Sequence, residues 1–327
     1  MLPQPITVPA AFSSSQARAR EAVAPIDFQA VAKALGAAGH ASDLDQRLAG
    51  RFARPVRARA FADRAATVAA TLKALGARPG GVCVVSALAD PETLAGVAAA
   101  GLTAWLVDVD PFSAMFDTAH LRARLPRAPG PLEAIVPAAA HGRAPNMRAW
   151  AAFRAETGLP ILVDAFAAFD VMIEAPVPAL IGLPSGQGVF VACEDAAPVE
   201  AIDARGFVGD DGLAAWAGLR HRLCATAQQL RLLLLDSGVS FQPGWGMSWV
   251  SPTCALTLPS DDAGTVAWRL RQAGVPASCA VRDLTVRTDD TPIADHIAAS
   301  TVVIELDPGL DIEGLDRLCG ALRTALA

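Results

Sequence analysis

Lysine is almost absent from this chain. Only Lys33 and Lys73 occur, and none follows position 73, so chemistry that needs a lysine amine further along is excluded. Arginine carries nearly all the positive charge and alanine is abundant, a pattern of coding bias rather than of chemistry. The six cysteines, Cys83, Cys193, Cys224, Cys254, Cys279 and Cys319, form no CxxC, and most have apolar neighbours. They read as buried free thiols in a reducing compartment. The five histidines, His40, His120, His141, His221 and His296, make no ligand pair at useful spacing, so no metal site is expected. No uncharged apolar run is long enough to span a bilayer. Residues 1–26 carry Arg18, Arg20 and Glu21 without an apolar core, which does not fit a secretory signal. The expected location is the cytoplasm.

What is present points to a folded α/β protein. At 53% hydrophobic and 18% charged residues, the chain is neither disordered nor a coiled coil. Its 327 residues can bury a large core and are a little long for one domain. A net charge of −6 disfavours nucleic acid or an anionic membrane as partner.

Strand and helix signals alternate through the first two thirds. An alanine-rich helix from Ala62 to Leu75 ends at Gly76, and Val82 to Ser86 is a buried strand. Asp90, Pro91 and Glu92 make a strong helix start, by capping, ring geometry and dipole in turn. Ala104 to Val107 is a strand, followed by Asp108 and Asp110, which look like a metal pair but more readily shape a turn. Asp117 can cap a helix through Leu125, and Ala134 to Val136 is a short strand. Asn146 can cap a helix from Met147 to Thr157 that Gly158 closes. Ile161 to Val163 is a strand that delivers Asp164 at its carboxyl end, where open α/β sheets place ligand chemistry. Ala179 to Leu183 and Val189 to Ala192 follow around a Gly186-Gln187-Gly188 turn too short for a dinucleotide fingerprint. Repeated β-α units argue for a mainly parallel sheet covered on both faces. Near residue 211 the pattern changes. One helix is expected from Asp211 to Asp236, then strand Cys254 to Leu258, a helix capped by Ser260 and ended by Gly274, strand Thr301 to Leu306, and a last helix from Asp311 to Leu326. This predicts domains at 1–210 and 211–327. The run from Phe241 to Trp249 either lines a pocket or packs two tryptophans between domains.

Three stretches in this order resemble the sugar aminotransferases of the DegT/DnrJ/StrS family. They are Leu72 to Gly80, Trp105 to Asp110 with Phe116 and Asp117, and Gly142 to Met147 with Ile161 to Ala165. The segment Gly309 to Leu318 is similar to the family's closing helix. The resemblance implies the fold of type I pyridoxal phosphate (PLP) enzymes: a large α/β domain on a mainly parallel, seven-stranded sheet, and a small C-terminal α/β domain.

What else it implies follows residue by residue. Asp164 falls on the acid that pairs with the protonated pyridine nitrogen and makes PLP an electron sink. Ala167 falls where many members carry a glutamine against the cofactor. Asp63, Arg64 and Ala65 fall near the small residues that cradle the phosphate; Asp63 would repel it, whereas Arg64 could attract it. Pro91 sits near the aromatic that stacks on the ring, and His141 on another aromatic position, where it reads as a loop histidine more readily than as a base. The Schiff-base lysine lands on Ile181, with no lysine or histidine nearby. Asp164 has a second reading, a carboxylate that only caps or turns the chain at a strand end.

The implied aminotransferase is thus expected to be inactive in ordinary transamination, with no covalently bound cofactor and at most weak PLP binding. Two roles stay open. One is non-enzymatic: sugar-nucleotide binding, or a partner subunit, as a homodimer or paired with an active homologue. The other is an enzyme holding PLP or its amine form non-covalently on Asp164.

Overall fold

A computed structural model of the chain describes residues 40–202, 211–279, 290–307 and 309–326. Lys33 and residues 1–26 lie outside the described residues. The strands are β1 (Arg57–Phe61), β2 (Val82–Ser86), β3 (Thr103–Val107), β4 (Leu132–Val136), β5 (Val163–Asp164), β6 (Ala179–Gly182), β7 (Val189–Cys193), β8 (Ser240–Phe241), β9 (Thr253–Thr257), β10 (Ala277–Cys279) and β11 (Thr301–Glu305). The helices are α1 (His40–Gly50), α2 (Arg64–Ala74), α3 (Pro91–Ala99), α4 (Thr118–Arg124), α5 (Met147–Thr157), α6 (Ala196–Glu200), α7 (Trp216–Leu233), α8 (Ala263–Gln272), α9 (Pro292–Ser300) and α10 (Ile312–Leu326).

The three-stranded ladder β3-β2-β4 and the four-stranded ladder β5-β6-β7-β1 form one continuous sheet. Parallel bridges Ile135↔Ile161 and Ala138↔Asp164 join them, with Leu162 N donating to Ile135 O at 3.0 Å and Asp164 N to Pro137 O at 2.8 Å. The result is the expected seven-stranded, mainly parallel sheet; among its strands only β7 runs against the rest. Alternate side chains face opposite layers. Cys83, Val85, Val136, Leu162, Leu180 and Val191 share one cluster with Val68 and Leu72 of α2 and Leu94 and Val97 of α3. On the other face Phe190 meets the rings of Phe52 and Phe169 at 6.4 and 6.3 Å. Being covered on both faces is why β2 and β7 are buried at every position and read as unbroken apolar runs.

The caps form as their residue types dictate. The side chains of Asp90, Asp117 and Asn146 accept from Glu92 N, His120 N and Ala149 N, and Gly158 closes α5 in the left-handed region (φ 68°). Other expectations are corrected. The first helix begins at Arg64, not Ala62, because Asp63 caps it through Ala66 N. The helix expected from Asp211 begins at Trp216, because Asp211 accepts from Leu213 N and turns the chain instead. Ser260 caps nothing: α8 follows Asp262 and has no side-chain cap. Asp110 shapes a turn, accepting from Phe112 N and Ser113 N. Asp108 does more than turn the chain, since it caps α9 from a distant part of the sequence, accepting from Ala294 N at 2.8 Å and Ile293 N at 3.2 Å.

The C-terminal strands form a separate antiparallel sheet, β10-β11-β9-β8. Trp245 and Trp249 are buried beside Leu223 and Leu230 of α7, Leu256 of β9, Val266 of α8 and Leu318 of α10, so the two tryptophans are core. No disulfide forms: Cys83, Cys193, Cys254 and Cys319 are buried free thiols, and Cys224 and Cys279 are half-buried. Burial pushes the Cys193 thiol up to about 11, which keeps it unreactive. No helix among the described residues is long and apolar enough to cross a membrane.

The α2–α3 contact fixes the mouth of the sheet and rests on Gly96. A Cβ there would lie 2.6 Å from both Ala65 O and Val68 Cβ. Gly96→Ala, although it improves helix propensity, should therefore destabilise the protein by about 1–3 kcal/mol through overpacking. Urea unfolding checks this, and an unchanged or raised midpoint contradicts it.

Candidate functional site

The carboxyl ends of β2, β4 and β5 open onto a cleft of about 260 Å³. Arg64, Ser86, Asp90 and Asp164 line it from the parallel sheet and its helices. The loop Ala138 to His141, with Phe166 and Ala167, forms one wall, and Thr253, Ser278, Cys279, Val303 and Glu305 of the antiparallel sheet form the other. Gly142 brings the two loops of the first wall together. It sits at φ 98°, and a Cβ on it would lie 2.7 Å from Ala167 O.

Asp164, 3% exposed, ends β5 on the floor of this cleft. Its Oδ2 accepts from Arg64 Nη2 at 2.7 Å and from Thr93 Oγ1 at 2.5 Å, and its Oδ1 accepts from Phe166 N at 3.3 Å. Arg64 is the first residue of α2 and reaches Asp164 across the cleft floor. Its Nη1 lies 3.2 Å from Asp90 Oδ2, and its guanidinium carbon lies 4.4 Å from the Phe166 ring centroid, over the ring. The Nε of Arg64 is buried and has no hydrogen-bond partner. Burial alone would lower the Arg64 pKa. The nearby charges of Asp164 and Asp90, with the Asp164 hydrogen bond, outweigh burial and raise it, so this side chain is a permanent cation.

Four of the sequence-derived residues, Arg64, His141, Asp164 and Ala167, thus fall into one site, though not in the arrangement expected from the chain alone. Arg64, Asp164 and Ala167 all line the cleft. Arg64 faces a carboxylate rather than an open anion site. Asp63 lies just outside, and its carboxylate takes Ala66 N at 2.5 Å. Ile181 is fully buried inside β6, opposite Phe190 of β7. Lys73 stands exposed in the last turn of α2. Pro91 is exposed at the start of α3, and Phe166 supplies the aromatic face instead. Phe166 and Thr93 went unread in the sequence. Phe166 follows Asp164 by two positions and was within reach of a sequence argument. Thr93 carries no signal before the fold brings α3 to β5.

Backbone strain also gathers here. Among the described residues the non-glycine positive-φ positions are Ala114 (55°) and His141 (49°), and both line the cleft. Such strain persists where the surrounding structure holds a shape against it. Burial lowers the His141 pKa to about 4, so the imidazole is neutral at neutral pH. The unfolded chain binds this proton near pH 6.5 and the folded one only near pH 4. Stability should therefore fall as pH drops between those values. His141→Asn, which tolerates the left-handed backbone, should flatten that part of a melting-temperature profile. An unchanged slope contradicts the assignment.

Residues 38–175 match the model of the DegT/DnrJ/EryC1/StrS aminotransferase family. None of the curated protein sequences matches the chain. Solved structures do. A 3-amino-5-hydroxybenzoic acid synthase is similar at 19% identity over 87% of this chain and 90% of that one, with a TM-score of 0.69. A sugar aminotransferase from Micromonospora echinospora is similar at 19% identity over 92% and 98%, with a TM-score of 0.69. A Helicobacter pylori aminotransferase involved in the biosynthesis of pseudoaminic acid is similar at 10% identity over 88% and 91%, with a TM-score of 0.72. At these identities the likeness establishes the fold, that of the PLP-dependent aminotransferases.

Proposed function

We propose that this chain is a sugar-aminotransferase homologue that has kept the fold and given up transamination, and that it acts in the cytoplasm as a non-catalytic subunit, self-paired or paired with an active homologue. The observation that carries this reading is the Arg64–Asp164 ion pair. When bound, PLP supplies an electron sink that depends on a carboxylate at its ring nitrogen and a lysine for covalent attachment and proton transfer. Asp164 Oδ2 is already held by Arg64 and Thr93. The described lysine, Lys73, is in the last turn of α2, at the end away from Arg64. The first amides of α2 meet the Asp63 carboxylate rather than an open anion site. The residues as they stand do not fit the cofactor.

This arrangement also weighs against the enzyme that would anchor PLP non-covalently on Asp164. The sugar-nucleotide role has less support than the subunit role. The described charged residues lining the cleft are Arg64 against Asp90, Asp164 and Glu305, and Arg64 is committed to two of those acids. A diphosphate would meet repulsion there, and unmatched charge costs several kcal/mol.

Purified protein mixed with PLP and reduced with borohydride should carry no pyridoxyl group by intact mass. Titration should give PLP binding at about millimolar or weaker, little altered by Asp164→Asn, where each 1.4 kcal/mol lost is tenfold in affinity. A stoichiometric adduct on Lys33 or Lys73 overturns the reading. Micromolar binding that collapses in Asp164→Asn establishes the non-covalent enzyme instead.

A further inference from the structure

A carboxylate as buried as Asp164 needs strong donors to offset its lost hydration, and a cation against it is the strongest. The cation here is planar, lies over the Phe166 ring at 4.4 Å and donates to Asp164 Oδ2 at 2.7 Å. A protonated pyridine ring would present the same three features to the same carboxylate: a flat face, a positive charge and one N–H. The fit of the guanidinium is incomplete, because its buried Nε has no hydrogen-bond partner. Charge and stacking hold the group there, not a full complement of acceptors.

We infer that Arg64 is a built-in replacement for a planar ring cation, and that removing it re-opens on Asp164 a binding site for small planar cations of the pyridinium or guanidinium class. This rests on the reading above that the natural chain does not use PLP. It adds a cause, namely that the site is closed by occupation as well as lacking a lysine. The Asp63 carboxylate remains at the phosphate end, so the ligand favoured is the unphosphorylated ring.

The test compares wild type, Arg64→Ala and the Arg64→Ala/Asp164→Asn pair, using pyridoxal and methylguanidinium as probes against sodium chloride at equal concentration. Arg64→Ala should melt below wild type and recover on addition of millimolar methylguanidinium, which leaves wild type unimproved. It should also bind pyridoxal at least about tenfold more tightly than wild type, and the gain should vanish in the double variant. Pyridoxal 5′-phosphate should bind Arg64→Ala no better than pyridoxal does. Should Arg64→Ala not fold, Arg64→Gln, which keeps a donor toward Asp164 while removing the charge, carries the same comparison. If neither probe binds the single variant above the wild-type level, the inference is wrong while the non-catalytic reading stands. If wild type itself yields a borohydride-trapped adduct, that reading fails first.

Discussion

A carboxylate buried at the end of β5 must be met by donors or a positive charge within hydrogen-bond reach, and much of the cleft follows from how this chain meets that need. Arg64 can serve only if α2 begins at that residue, which the Asp63 cap arranges. Its guanidinium reaches the floor because α2 and α3 pack tightly through Gly96. Asp90, while capping α3, lies close enough to hold the other edge of the guanidinium. One charge pair thus ties two helix starts to a strand end. Breaking a buried pair by removing one partner typically costs about 3–5 kcal/mol, so the floor is rigid as well as closed.

The same economy recurs at β3. In open α/β sheets the carboxyl ends of strands are where ligands bind, because loops and helix starts converge there. Here Asp108 after β3 is spent on the first amides of α9, and Asp164 on Arg64. A helix N-terminus welcomes a carboxylate for the reason it welcomes a phosphate: unpaired N–H groups and the positive end of the dipole. Asp63 at α2 and Asp108 at α9 are anions that the chain itself provides. The cleft keeps its shape, with backbone strain at Ala114 and His141, while Arg64, Asp90 and Asp164 satisfy one another on its floor.

Much of this fold was legible in the sequence. The parallel strands announce themselves as apolar runs bounded by glycine and aspartate, and Asp90, Asp117, Asn146 and Gly158 mark helix ends by local chemistry alone. Six elements went unread: α1 and the five-residue α6, and the four that follow. β1, Arg57–Phe61, alternates arginine and alanine and becomes a strand only by pairing with β7. β8 and β10 are two and three residues long, too short for any periodicity. α9 takes its cap from Asp108, remote in sequence, and the local start at Thr291 and Pro292 went unread. At the site, Asp164 could be located from its strand. The partner of Asp164 could not. Arg64 lies a hundred residues earlier, beside the place where a phosphate would be cradled, and local reasoning turned it toward that phosphate. Only the packing of α2 against the sheet shows that it points to the acid.

The central claim is that Arg64 and Asp164 act as one unit. A double-mutant cycle with Arg64→Ala, Asp164→Asn and both together, followed by urea unfolding at neutral pH, tests it most directly. The account predicts a coupling of about 2–3 kcal/mol, with the double variant markedly more stable than the two single losses would sum to. Losses that add to within about 0.5 kcal/mol would contradict it.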